Sequence, residues 1–335
     1  MTDSAFREVF EREAGSRCMS AISDSDPRVA ARDARAEAID HTGAAGAWVF
    51  EPSPPAVTEE PFADDPVATT GALDWSAWLD EHPSEASWLA DRMLGGDRSL
   101  GPAPASLTDT RLALHRLAAY VIAPARHASN GKFGLRSTLG GFGTPFFGDD
   151  RQIRVVGDRL VDQIAGTARS TPITTLRAAA EFLDVAIDAE TAAEHDSPPL
   201  GDVDQNLAVD ADASAFLGRW FAMAFAALEA VRADPNSTDP SRPQLWPGHF
   251  DPAIEVGDED HRGSYGASPG DDSIDEPYLY LSAWWPDRIG LDTEDARWNA
   301  PSFPGAVLRL SDFASTDDPV AIATKFWSDN RDALG

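Results

Sequence analysis

Cysteine is almost missing from this chain. Cys18 is the single one, so no intramolecular disulfide can form and a cysteine-rich structural zinc site is excluded. A thiol nucleophile would need a histidine and electropositive surroundings, and nothing beside Cys18 supplies them. It reads as a small, half-buried residue of a first helix. Lysine is nearly as scarce: Lys132 and Lys325 are the two lysines among 27 bases, which face 56 acids for a formal charge of −29. A field that negative repels phosphate backbones and anionic lipid surfaces, so nucleic acid and membrane partners are disfavoured. Long apolar runs are missing too, falling far short of the roughly 18 residues that suggest a membrane span. The opening MTDSAFREVFEREAG is acidic and amphipathic, without the basic and apolar regions of a signal peptide. A soluble, cytoplasmic protein is the expectation.

What the chain does have is apolar mass. Of its 335 residues 42% are hydrophobic and ten are Trp, which is ample for a core. Residues 1–105 read as a mainly helical N-terminal extension, with a Pro- and acid-rich linker over 51–71. Residues 106–335 read as an α+β core in two similar halves, 106–206 and 207–335. Each half carries a helix, several strands and a helix. In the first, Thr108 or Asp109 caps a helix through about Ala123. Strand character follows at 132–138, a tight glycine-rich turn at 140–148, and a hairpin, QIRVV and RLVDQI, joined by Gly157-Asp158. A helix over 174–185 closes it. The second half opens on a helix over 211–233 that is apolar on more than one face, which predicts burial, with Trp220 and Leu228 on one side. Strands are expected at 243–246, 252–257, 277–283 and 305–310, then a helix from Asp318-Pro319 to about Ala333. Strands clustered in runs predict antiparallel sheets and the α+β class.

Several motifs fail on mechanism. Gly266 to Gly270 spells the G-x-S-x-G nucleophile elbow, but Pro269 has no N–H to offer an oxyanion. The acidic runs at 202–213 and 258–269 lack the glycine or final glutamate of a calcium loop. GGFGTPFFG lacks the third glycine of a dinucleotide fingerprint. No His pair has the i, i+4 spacing of a helical zinc site. No metal or cofactor is therefore indicated, and no catalytic residue is assigned.

The richest segment is QLWPGHFD at 244–251. In an extended chain His249 and Asp251 share a face, either as a working pair or as a structural clasp. Tyr278 and Tyr280 share one face of a later strand, with Leu279 and Leu281 on the other. One face is then core and the other is free to line a pocket. The candidate ligand-binding set is Trp246, His249, Asp251, Tyr265 and Asn299, joined by Arg136 as a holder for an anion. Two functional classes stay open. A small-molecule-binding protein or enzyme puts His249 in a concave polar-aromatic cleft. A non-catalytic structural or interaction module packs His249 fully and exposes an apolar patch elsewhere. Oligomeric state is left open.

The order and spacing of these features carry a resemblance. The helix from Leu114 to Tyr120, the RVVGDRLVDQ hairpin, WPGHFD, EPYLYLSAWWP and the closing DDPVAIATKFWSD are similar to an uncharacterised bacterial family of actinobacterial type, domain of unknown function 5996. The resemblance covers the C-terminal two thirds. It implies a soluble cytoplasmic protein and brings no activity, cofactor or catalytic residue with it.

Overall fold

The structure, a computed structural model, describes residues 100–334 except 139–140, 146, 148–150, 165–166, 196, 242 and 293–294. The helical extension and linker expected over 1–105 fall almost wholly outside the described residues.

The first helix is longer than its sequence suggests. It begins one residue after Ser106 as α1 (Leu107–Leu117), widens into a π-helical turn at Ala118–Ile122, and continues as α2 (Ala123–Asn130). Pro124 sits where the sequence predicts an end. Its ring and missing N–H do not fit a regular ladder, and the widened turn just before it absorbs the mismatch. Gly131, in the left-handed region at φ 75°, stops the helix.

Five strands follow: β1 (Arg136–Thr138), β2 (Gly141–Gly143), β3 (Arg151–Val156), β4 (Arg159–Ile164) and β5 (Thr167–Pro172). They form an antiparallel meander in chain order. The Gly157-Asp158 hairpin is where the sequence puts it. The glycine-rich stretch is strand β2 and not only a turn: Gly141 and Gly143 let it lie close against the backbone of β3. Helices α3 (Leu176–Leu183) and α4 (Ala189–Glu194) complete this half, capped by the side chains of Thr175 and Asp188.

The second half repeats the plan. Helix α5 (Ala211–Ala233) leads into β6 (Gln244–Trp246), β7 (Asp251–Val256), β8 (Gly263–Ser268), β9 (Tyr278–Ala283) and β10 (Gly305–Arg309), again an antiparallel meander, and then α6 (Pro319–Arg331). Asp210 and Asp318 cap the two helices by accepting from Ala213 N and Ala321 N. The architecture is therefore α+β, with two antiparallel five-stranded sheets. The sheets meet edge to edge, where Leu135 and Leu245 exchange two backbone hydrogen bonds of 2.8 Å.

Helix α5 is the shared core. It packs against β1, β2 and β3 of one sheet and β7 and β8 of the other. That is why it is apolar on more than one face: Phe216, Trp220, Phe221 and Leu228 have no solvent exposure. By length and composition alone α5 would be long enough to cross a membrane; here both sheets cover it. The Trp220 indole donates to the Ala267 carbonyl at 3.2 Å, so even its one polar atom is satisfied.

Strand parity then divides the second sheet. Ile254, Val256, Tyr265, Ala267, Leu279 and Leu281 join the core on the α5 side. Asp251, Ala253, Glu255, Ser264, Ser268, Tyr278, Tyr280 and Ser282 occupy the opposite face. An antiparallel sheet often leaves that second face to water. Here it is roofed, and the space beneath the roof is the site.

Candidate functional site

The roof is made of loops. The β6–β7 turn supplies Trp246, Pro247, Gly248 and His249, the segment after β8 supplies Asp271, the chain before β10 supplies Ser302 and Phe303, and the end of α4 adds His195. Together with the polar sheet face they enclose a cavity of about 350 Å³, within the range of small-molecule pockets.

The β6–β7 turn is anchored from below. Phe250 is a non-glycine residue at φ 58°. That left-handed backbone, closed by a 2.7 Å bond from Phe250 N to the Trp246 carbonyl, drives its ring into the core. There it stacks on His115 and meets Phe142 and Phe221 edge-on, at 5.0–5.2 Å. His115 Nε2 lies 2.9 and 3.0 Å from the carbonyls of Pro247 and Gly248. Carbonyls only accept, so Nε2 carries the proton. Burial lowers the His115 pKa to about 4, which keeps the ring neutral.

His249 points the other way. It is exposed at the cavity rim. Its charge favours ionisation of Asp251, but burial of that carboxyl is the larger effect and raises its pKa. The Tyr280 hydroxyl donates to Asp251 at 2.5 Å, with His249 near enough for its charge to act on the carboxyl. A second phenol–carboxylate pair runs beside it, Tyr278 to Asp271 at 2.5 Å. Burial, then the adjoining carboxylates, raise the pKa of both phenols.

Tyr280 reaches Asp251 because β8, which lies between them, has glycine at the crossing point. A Cβ on Gly266 would stand 2.4 Å from the Tyr280 ring and hydroxyl. Gly266→Ala is therefore expected to swing Tyr280 off Asp251 and cost about 1–3 kcal/mol, as overpacking does. A thermal melt matching the wild type would show that the ring does not depend on this glycine.

Glu255 closes the inner end. It accepts from the Ser264 hydroxyl at 2.7 Å, and Ser264 in turn accepts from the Trp284 indole at 2.9 Å. Its second oxygen, Oε2, is buried and has no hydrogen-bond partner among the described residues. Burial pushes its pKa up to about 8, against the opposing pull of Ser264, Arg262 and the Trp284 indole.

Of the six residues named from sequence, three lie together: Trp246, His249 and Asp251 line the cavity. Three do not. Tyr265 has core parity on β8 and is 1% exposed on the α5 side of the sheet. Asn299 brackets Val307, accepting from its N–H at 2.7 Å and donating to its carbonyl at 3.1 Å. It pins to β10 the loop that carries Phe303. Arg136 is on β1, with Nε donating to the Ser137 carbonyl at 3.1 Å, outside the cavity wall. Sequence reading missed Glu255, although it shares strand parity with Asp251. It missed β8 altogether, because GSYGAS has the composition of a loop. Among the described residues no cluster of three or more His, Cys, Asp or Glu is placed to hold a metal ion.

Comparison of the chain with family models, with curated proteins and with solved structures returns no match.

Proposed function

We propose that this protein binds a small organic molecule in the cavity roofed over the second sheet. The carrying observation is His249. It stands exposed on the wall of a concave polar-aromatic space, the placement expected of a binding site and the opposite of a packed clasp. The interaction-module reading needs an apolar patch on the surface. The exposed large hydrophobics among the described residues are Leu112 and Ile164, on separate elements, and two isolated side chains make no patch. Polar groups facing a cavity at their own cost in burial also favour a ligand. The resemblance to domain of unknown function 5996 and a cytoplasmic location belong to the same proposal and add no chemistry to it.

The test is a thermal-shift screen of the full chain against a broad metabolite panel. A ligand at about 100 times its Kd adds about 2.7 kcal/mol, a shift of several degrees for a domain of this size. His249→Gln, an exposed substitution, should leave the unliganded melt within about one degree and weaken the hit. A melt that falls with His249→Gln, together with an empty screen, would return the pair to a structural role.

A further inference from the structure

We propose that the cavity takes an organic cation, an amine or guanidine on an apolar body, with Glu255 as its counter-ion. This rests on the reading of the cavity as a binding site and names the class of molecule it holds.

Charge narrows the choice first. The wall contains Asp251, Glu255 and Asp271, and no Lys or Arg is among its lining residues. A carboxylate or phosphate ligand would meet three acidic side chains, set against the imidazoles of His195 and His249 and no permanently charged base. Hydrogen bonding narrows it further. Asp251 is engaged by Tyr280, and Asp271 by Tyr278 and the backbone N–H groups of Ser273 and Ile274. Glu255 is different: it is 3% exposed and its Oε2 has no partner among the described residues. A buried carboxyl oxygen without a partner, protonated or not, is a rare and costly state. An ammonium or guanidinium group supplies donors alone, with charge of the needed sign. The neighbouring aromatic faces suit the same ligand: Trp246, Tyr280 and Phe303 border the cavity, and aromatic rings attract cations.

The counter-ion has to be made on binding. In its closed setting the Glu255 carboxyl holds a proton near neutral pH. The groups around it are Asp251 on its own strand, Ser264 and Tyr265 of β8, Tyr280 of β9, and Arg262 and Trp284. Arg262 is already held by the Gly257 carbonyl at 2.6 Å and by Asp239 at 3.4 Å. When a ligand ammonium arrives, the Glu255 carboxylic O–H gives its proton to solvent. A carboxylate–ammonium pair remains, and charge balances with one proton released per ligand. Affinity for a cation therefore rises with pH up to about 8, by at most tenfold per unit.

Three probes of one shape and different charge test this on the full chain: 2-phenylethylammonium, 2-phenylethanol and phenylacetate. Calorimetry in buffers of different protonation enthalpy is expected to show the ammonium binding at least about tenfold more tightly than the alcohol, with proton release, and phenylacetate not binding. Glu255→Gln should abolish the preference and the proton release while leaving the alcohol's affinity unchanged. The pH dependence on the unmodified protein stands as a second measurement if that variant does not fold. Equal binding of the alcohol and the ammonium, or a cation affinity flat between pH 6 and 8, overturns the cation assignment and leaves the binding site intact. No binding by any probe, with an empty metabolite screen, overturns both.

Discussion

Phe250→Ala is expected to destabilise the fold by about 3–5 kcal/mol, and Phe250→Gly to cost about 1 kcal/mol less than the alanine variant despite removing one more carbon. The first effect follows from what the ring joins. Phe250 has no solvent exposure and touches His115 of α1, Phe142 of β2 and Phe221 of α5, so its loss opens a cavity where the two halves meet. The second follows from the backbone. At φ 58° every side chain with a Cβ is strained, and glycine alone is not. Urea melts of the two variants make the comparison. An alanine variant more stable than the glycine variant would mean that the turn relaxes out of the left-handed region. Both variants should also weaken ligand binding, because Phe250 holds in place the turn that carries Trp246 and His249.

The second large effect is on pH. The Glu255 pKa is about 8 in the folded chain against a reference of 4.5. Between those values the folded state keeps a proton that the unfolded state has released, so stability is present below about pH 4.5 and is lost as pH rises through 8. The ceiling on that loss is roughly 5 kcal/mol, at about 1.36 kcal/mol per unit. His115 acts in the opposite sense. Its folded pKa is lowered from 6.5 to about 4, so its contribution is present above 6.5 and is lost as pH falls towards 4. The two oppose each other from about 4.5 to 6.5, and above that Glu255 acts without His115. Glu255→Gln, a neutral stand-in for the protonated acid, is expected to flatten the decline above pH 6.5. It should be more stable than wild type at pH 8 by a few kcal/mol and nearly equal to it at pH 5. Parallel stability curves for the two proteins would show that Glu255 is ionised in the empty cavity.

Three of the six residues named from the sequence line the cavity, for a reason that can be stated. The alternation of Tyr278 and Tyr280 against Leu279 and Leu281 assigns two faces to β9, and the structure uses them as core and cavity wall. His249 and Asp251 both line the cavity, but not through the extended spacing read from the sequence, because His249 lies in the turn and Phe250 between them has φ 58°. Parity shows which residues share a face, but not which face is roofed. Tyr265 was placed on the wrong side because β8 was not visible as a strand, and without its register against β7 and β9 its parity has no meaning. Arg136 has the right chemistry for an anion and lies on the other sheet. Asn299 has the right polarity and spends both side-chain groups on Val307.

Sequence by itself determined the elements whose signals are local. These are the Asp318 cap, the Gly157-Asp158 hairpin, the helix α5 apolar on more than one face, and the clustering of strands that makes the class α+β. Caps, turns and periodicity act within a few residues, so a chain read in order reveals them. The tertiary structure alone decided how the halves meet and what lies over the second sheet. The Leu135–Leu245 bridge joins residues more than a hundred positions apart. Phe250 enters the core through a backbone conformation that its residue type disfavours. Glu255 becomes an acid that holds its proton only once loops from four parts of the chain have shut out water. Desolvation and long-range register are properties of the packed molecule, and no local stretch of residues encodes them.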